Sequence, residues 1–171
     1  MYFYRDIDNG LDFDYNQFVY FNFVKQKVHG LEYEFSARLT PQLQASGHYT
    51  LIAGQETTQS RKNFSDTTYN YLLRRPRHAI NLTLGYQFCK KWEASVTART
   101  ISKRFDLGGY QMEDVELDGY FLLNAHIQYK WKDQIRFFAD GQNLTDKRFF
   151  DLRGYNSIPF TIVGGVAIDI N

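Results

Sequence analysis

The stretch Tyr120-Phe121-Leu122-Leu123-Asn124-Ala125-His126-Ile127-Gln128-Tyr129-Lys130-Trp131 decides how the chain is read. Phe121, Leu123, Ala125, Ile127, Tyr129 and Trp131 fall on one side, while Leu122, Asn124, His126, Gln128 and Lys130 fall on the other. Successive side chains leave a β-strand on opposite faces, so a period of two residues predicts a strand. After the polar turn Lys132-Asp133-Gln134 the alternation resumes, with Ile135, Phe137, Ala139 and Gly141 opposing Arg136, Phe138, Asp140 and Gln142. It returns near the end, where Phe160, Ile162, Gly164, Val166, Ile168 and Ile170 oppose Thr161, Val163, Gly165, Ala167 and Asp169. Strands of about ten residues, apolar on one face and mixed on the other, joined by alternately short and long connections, predict an all-β, antiparallel transmembrane β-barrel.

The same pattern extends upstream. Tyr2 and Tyr4 oppose Phe3 and Arg5 before a turn cluster at Asp8-Asn9-Gly10, followed by a polar connection to about Gln17. A long strand is expected from Phe18 to Leu39, in which Leu31, Tyr33, Phe35, Ala37 and Leu39 oppose Glu32, Glu34, Ser36 and Arg38. Thr40-Pro41-Gln42 reverses the chain, and Leu43, Ala45, Gly47, Tyr49 and Leu51 carry the apolar face to about Ala53. From Gly54 to Arg75 the pattern dissolves into polar residues and reads as a long loop. Ile80, Leu82, Leu84, Tyr86 and Phe88 restart it, and beyond Cys89-Lys90-Lys91 the residues Trp92, Ala94, Val96 and Ala98 oppose Glu93, Ser95, Thr97 and Arg99. Residues 105–118 read as a second loop, with Gly108-Gly109 and an acidic run. Roughly eight strands result, with short turns expected in the periplasm and long loops outside. Phe88, Trp92, Tyr129 and Trp131 would join a periplasmic aromatic girdle; Tyr69, Tyr71, Phe105, Tyr110, Tyr120, Phe149, Phe150 and Tyr155 would lie at or above the outer one.

The 171 residues carry a net charge of +1 and a mean hydropathy of -0.49, values that would ordinarily suggest one soluble domain. In a barrel only alternate strand residues face lipid, so the average stays low although an apolar band exists. No apolar run of about 18 residues is present, which removes a spanning helix. An Arg or Lys facing lipid costs about 2–4 kcal/mol at the midplane. Glu32, Glu34, Arg38, His48, Glu93, Arg99, His126, Lys130, Arg136 and Asp140 are therefore expected to face the lumen. Dispersed, balanced charge gives no case for nucleic acid. The lone Cys89 supplies no disulfide framework, the four histidines have no nucleophile or carboxylate at a diagnostic spacing, and no catalytic residue, metal ligand or cofactor site is expected. Met1-Tyr2-Phe3-Tyr4-Arg5-Asp6 has no secretory pattern. The chain is therefore expected to be the C-terminal piece of something longer, with Met1 internal or an artificial start.

The order of features resembles the C-terminal end of the TonB-dependent outer-membrane receptors, the siderophore and cobalamin transporter family. The resemblance covers nearly the whole chain and rests on Tyr20-Phe21-Asn22 followed by Gly30-Leu31-Glu32-Tyr33-Glu34, on Arg75-Pro76-Arg77-His78, on Tyr120-Phe121-Leu122-Leu123-Asn124, and above all on Gly141-Gln142-Asn143-Leu144-Thr145-Asp146-Lys147-Arg148-Phe149. That last run is similar to the family's "N-L-x-D-x-x-Y", carried here by Asn143, Leu144, Asp146 and Phe149. The resemblance implies that residues 1–171 supply about the last eight strands of a plugged barrel of about 22, the plug and earlier strands being absent. It implies a bacterial outer-membrane location, outer-membrane lipid and lipopolysaccharide as surroundings, and a plug domain and TonB system as partners through the parent. It also implies a barrel-assembly machinery that would read Gly165, Ile168 and Ile170, although an aromatic terminus is usual and Asn171 stands there. The implied function is active uptake of a scarce ligand such as a metal-siderophore or cobalamin.

Ligand selectivity is expected in the loops, which carry binding on rigid scaffolds. Candidate contacts are Arg61, Lys62, Tyr69, Tyr71, Arg74, Arg75, Arg148, Arg153 and Tyr155; pairing of the basic residues with lipopolysaccharide phosphates or with each other competes with that reading. An independently closed small structural or adhesion barrel is the alternative, and a soluble β-sandwich binding module is a third.

Overall fold

The alternating stretches form strands throughout a computed structural model, which describes residues 1–14, 18–60 and 62–170. The elements are β1 (Tyr2–Asp14), β2 (Val19–Arg38), β3 (Leu43–Gln59), β4 (Asp66–Tyr69), β5 (His78–Gln87), β6 (Trp92–Ile101), β7 (Arg104–Asp106), β8 (Val115–Leu117), β9 (Tyr120–Lys132), β10 (Ile135–Gln142) and β11 (Thr161–Ile168). Long strands pair antiparallel in the order β1-β2-β3-β5-β6-β9-β10-β11, an up-and-down meander; β4 adds to the upper part of β3, and β7 with β8 makes a separate hairpin. Among the described residues β1 and β11 are the edges and do not pair with each other, so the sheet is an open wall and not a closed barrel.

The register turns the sequence alternation into continuous rows. Val96 stands opposite Leu84 and Ala125, Leu84 opposite Ala45, and Ala45 opposite Ala37. On the other face one row runs Glu34, His48, Asn81, Arg99, Leu122, and a second joins Arg38, Gln44, Gly85, Ser95, His126 and Asp140. The apolar rows are uncovered: Leu84 is 44% and Val166 52% exposed. In a sandwich a second sheet would bury these rows. The cluster that is buried, Ile101, Tyr120 and Leu122 with Ala79 and Phe149 against it, lies on the opposite face at the long-loop end.

Two cross-strand pairs set an aromatic ring over a glycine. Phe35 faces Gly47 and Phe138 faces Gly165; a methyl added at Gly47 or Gly165 would stand 2.9 Å or 2.5 Å from the ring. At the short-turn end Trp92 lies against Tyr129 at 4.6 Å, Tyr86 against Phe88 at 4.9 Å, and Trp131 against Phe137 at 6.2 Å, an aromatic girdle on the apolar face.

Several expected boundaries are corrected. Asp8-Asn9-Gly10 is not a turn: β1 runs on through it, and the irregularity is a bulge between Ile7 and Leu11, with Asn9 at φ 58°. Asn tolerates that left-handed geometry better than most residues. The expected loop from Gly54 is strand as far as Gln59, because β3 continues above the apolar band and pairs there with β4. Likewise 105–118 contains β7 and β8. The last strand is shorter than the Phe160–Ile170 alternation. Tyr120 and Phe149, expected at the outer girdle, turn to the inner face and pack at 4.3 Å.

Candidate functional site

Three connections meet at the long-loop end: residues 70–77, the segment carrying β7 and β8, and residues 143–160. Asp106 is their common point, with its side chain 1% exposed. One carboxylate oxygen accepts from Arg74 Nε at 2.6 Å and from the Leu107 N–H at 2.8 Å; the other accepts from the Arg153 N–H at 2.6 Å. Burial pushes the Asp106 pKa up, but these donors and the Arg74 charge together outweigh it and hold the carboxyl below its ordinary value. The Arg153 guanidinium then reaches back to the carbonyl of Gly108.

A second buried charge stands beside it. Arg104, 4% exposed, lies 5.3 Å from the Tyr120 ring centre and donates to the carbonyl of Phe150 and to Asp151, while the Tyr120 hydroxyl donates to the same Asp151 carboxylate. The cation is thus shared between an aromatic face and a loop carboxylate. Further out, Tyr71 stacks on Phe105 at 3.8 Å and donates to Asp114 at 2.8 Å. Lys62 meets Glu113 at 2.7 Å, which holds the Glu113 carboxyl below its ordinary value.

The run from Asn143 to Phe149 anchors the third connection. Asn143 is 3% exposed with φ 48°. Its amide Nδ2 donates to the carbonyls of Lys147 and Ile158, both at 3.0 Å; its Oδ1 accepts from the Lys147 N–H, and its own N–H donates to Asn124 Oδ1. Asp146 accepts from the Phe160 N–H at 3.1 Å, pinning the loop where β11 begins. Leu144 covers Gly141. A short polar motif therefore folds the loop back over the inner face.

Beneath that loop is a cleft of ≈ 420 Å3 lined by Arg99, Leu122, Asn124, Gln142, Tyr155 and Asn156 among others. Its floor residues Arg99, Leu122 and Asn124 are on the inner face. It offers one guanidinium, several amides, a phenol and the Asp151 carboxylate, which Arg104 and Tyr120 already hold.

Of the loop residues singled out from the sequence, Lys62, Tyr71, Arg74 and Arg153 belong to the bracing contacts, and Tyr69 packs on Tyr71 at 5.3 Å. Arg75, Arg148 and Tyr155 are exposed, and Arg61 lies outside the described residues. On the inner face His126 Nδ1 meets Asp140 at 2.7 Å, His48 meets Asn81 at 2.9 Å, and Arg136 meets Asp169 at 3.3 Å. Lys130 pairs with Asp133 at 3.0 Å and Arg38 donates to the Pro41 carbonyl. Glu32, Glu34 and Glu93 are exposed on that face, and Ile168 and Ile170 are exposed near the end of β11. Sequence reasoning missed Asp106, Arg104 and Asp151; the three residues of β7 are too few to show an alternation. Among the described residues no three His, Cys, Asp or Glu side chains converge to hold a metal ion.

An uncovered apolar face, a girdle and a charged opposite face define a membrane β-barrel wall. The family described as TonB dependent receptor-like, beta-barrel matches residues 2–144, and the chain belongs to it. That family comprises outer-membrane transport receptors, not enzymes. The fold is similar to the pyoverdine outer membrane receptor FpvA from Pseudomonas aeruginosa PAO1 bound to pyoverdine, with TM-score 0.78 and 20% identity over 99% of this chain and 26% of that one. It is similar to the ferric-catecholate import receptor Fiu from E. coli K12, with TM-score 0.71 and 21% identity over 95% and 24%. The siderophore receptor PiuA from Acinetobacter baumannii gives TM-score 0.72 and 20% identity over 95% and 24%. The chain thus spans about a quarter of the length of these structures. No curated protein matches by sequence.

Proposed function

We propose that residues 1–171 form the C-terminal wall of a plugged barrel of about 22 strands, whose parent binds a scarce external ligand, a metal-siderophore, cobalamin or similar, and imports it when the TonB system acts on the plug. The observation that carries this reading is the polar cleft under the 143–160 loop, which opens on the charged inner face and is walled by connections braced through Asp106. Such a cleft suits contact with a ligand entering the lumen or with the plug. Arg99, Tyr155 and Arg148 would meet the ligand; Lys62, Tyr71, Arg74 and Arg153 would hold the vestibule in shape. The inner-face residues Glu32, Glu34, Arg38, His48, Glu93, His126, Lys130, Arg136 and Asp140 would line water or plug, and Gly165, Ile168 and Ile170 would engage the assembly machinery. The names of the similar solved structures, siderophore and ferric-chelate receptors, support the ligand class.

The test is uptake by cells expressing the full receptor, using a panel of labelled ferric siderophores and cobalamin, with and without a functional TonB system. One saturable substrate should emerge, its accumulation should require TonB, and Arg99→Gln with Tyr155→Ala should raise its half-saturating concentration. Accumulation indifferent to TonB for every compound would reject the reading.

A further inference from the structure

We infer that the cleft beneath residues 143–160 seats a short peptide-like arm of the imported ligand that ends in a carboxylate, and that Arg99 is the residue that selects it. The inference deepens the receptor reading above and rests on it.

The register puts the floor of the cleft on the inner face. Arg99 in β6 stands opposite Leu122 in β9, and Asn124, the next inner-face residue of β9, accepts the Asn143 N–H on its Oδ1 at 2.8 Å. Gln142 ends β10 as the inner-face residue after Asp140, whose carboxylate meets His126 on the same side. Arg99, Asn124 and Gln142 thus come from the adjacent strands β6, β9 and β10. Two strand spacings separate the first from the last, roughly 10 Å, the length of about three extended residues.

One charge in the cleft is unmatched. Arg99 is half-buried, and among the described residues its guanidinium makes no hydrogen bond or ion pair; it lies 6.0 Å from the Tyr120 ring centre. The lining carboxylate, Asp151, already serves the buried Arg104 and the Tyr120 hydroxyl. A guanidinium fork without an acceptor fits one carboxylate bidentately.

The groups beyond it are amides. Gln142 and Asn156 make no side-chain hydrogen bond among the described residues, and Asn124 keeps its Nδ2 free. A carboxamide presents a donor and an acceptor in one plane, the complement of a peptide group. A polyol would use these amides and leave the cation unpaired. The metal-binding end of a chelate, with several anionic donors, would call for more than one free cation. The volume of ≈ 420 Å3 lies toward the small end of ligand pockets, about 300–1,000 Å3, which is room for an arm and not for a whole chelate.

The full receptor, purified from outer membranes into detergent, is titrated with N-acetyl-trialanine, with its C-terminal amide, with acetate and with maltotriose, and binding is read by saturation-transfer NMR. Charge-assisted bonds from a guanidinium to a carboxylate should make the acid bind about tenfold tighter than the amide. Arg99→Gln should bring the acid down to the level of the amide, while Lys90→Gln, in a turn at the opposite end, should bind as the parent does. The ratio of acid to amide in the parent keeps the test decisive should Arg99→Gln not fold. Equal binding of acid and amide, undiminished binding by Arg99→Gln, or an equal loss in Lys90→Gln would overturn the proposal. Acetate binding as tightly as the peptide would overturn it in favour of a bare anion site, and maltotriose binding more tightly would overturn it in favour of a glycan. The receptor reading is judged separately by uptake: a receptor that imports a chelate through TonB yet binds acid and amide alike keeps that reading and loses this one.

Discussion

A carboxylate with almost no exposed surface, such as Asp106, stays ionised only if donors replace its water, and here two backbone N–H groups and a guanidinium do so. Asp106→Ala would strand those donors, at a local cost of about 2–3 kcal/mol for charge-assisted bonds. We expect faster amide exchange at 104–107 and 150–154, while the long strands remain protected. A carboxyl with a lowered folded pKa contributes stability at pH above its unfolded value and loses it as pH falls through the folded one. Protection of these amides should therefore hold from neutral pH downward and fail only below 3.8; failure near pH 6 would point to another group. At Gly165 the restraint is steric. Gly165→Ala would drive a methyl into the Phe138 ring, an overpacking cost of about 1–3 kcal/mol. The folded form, followed by heat-dependent gel mobility, should melt earlier.

At the scale of the strand, parity is what matters. Leu84 and Thr83 are neighbours in β5, but Leu84 lies in the uncovered apolar row, and Thr83 meets Thr97 across the inner face at 3.0 Å. Leu84→Arg should cost about 2–4 kcal/mol and Thr83→Arg much less, seen as the yield of folded protein in detergent. Equal yields would mean the phasing is wrong. The same parity explains what was legible beforehand. Strands with one greasy and one wet face declared themselves by alternation, and the short turns followed. The upper half of β3, Gln55-Glu56-Thr57-Thr58-Gln59, stands above the band with polar residues on both faces, so nothing in it alternates. Hairpin β7–β8 is too short to show a period. Asp106 was illegible because its partners come from two distant connections.

Among the described residues the sheet has eight long strands and two unpaired edges. Edge strands recruit other strands, so residues 1–171 expressed alone should associate in detergent, which light scattering would register. They should also fail to give specific, saturable uptake in cells, since an open wall encloses no pathway. Saturable uptake from this chain alone would contradict the wall-segment reading. At the outer end, by contrast, the connections form one body, because Lys62 to Glu113, Tyr71 to Asp114, and Arg74 and Arg153 to Asp106 tie them side to side. The rings laid over bare backbone have a consequence for descent as well. Phe138 with Gly165, and Phe35 with Gly47, are single units divided between two strands. A lineage that drops the ring leaves a gap and one that fills the bare position collides, so kindred sequences should keep both partners or exchange both together.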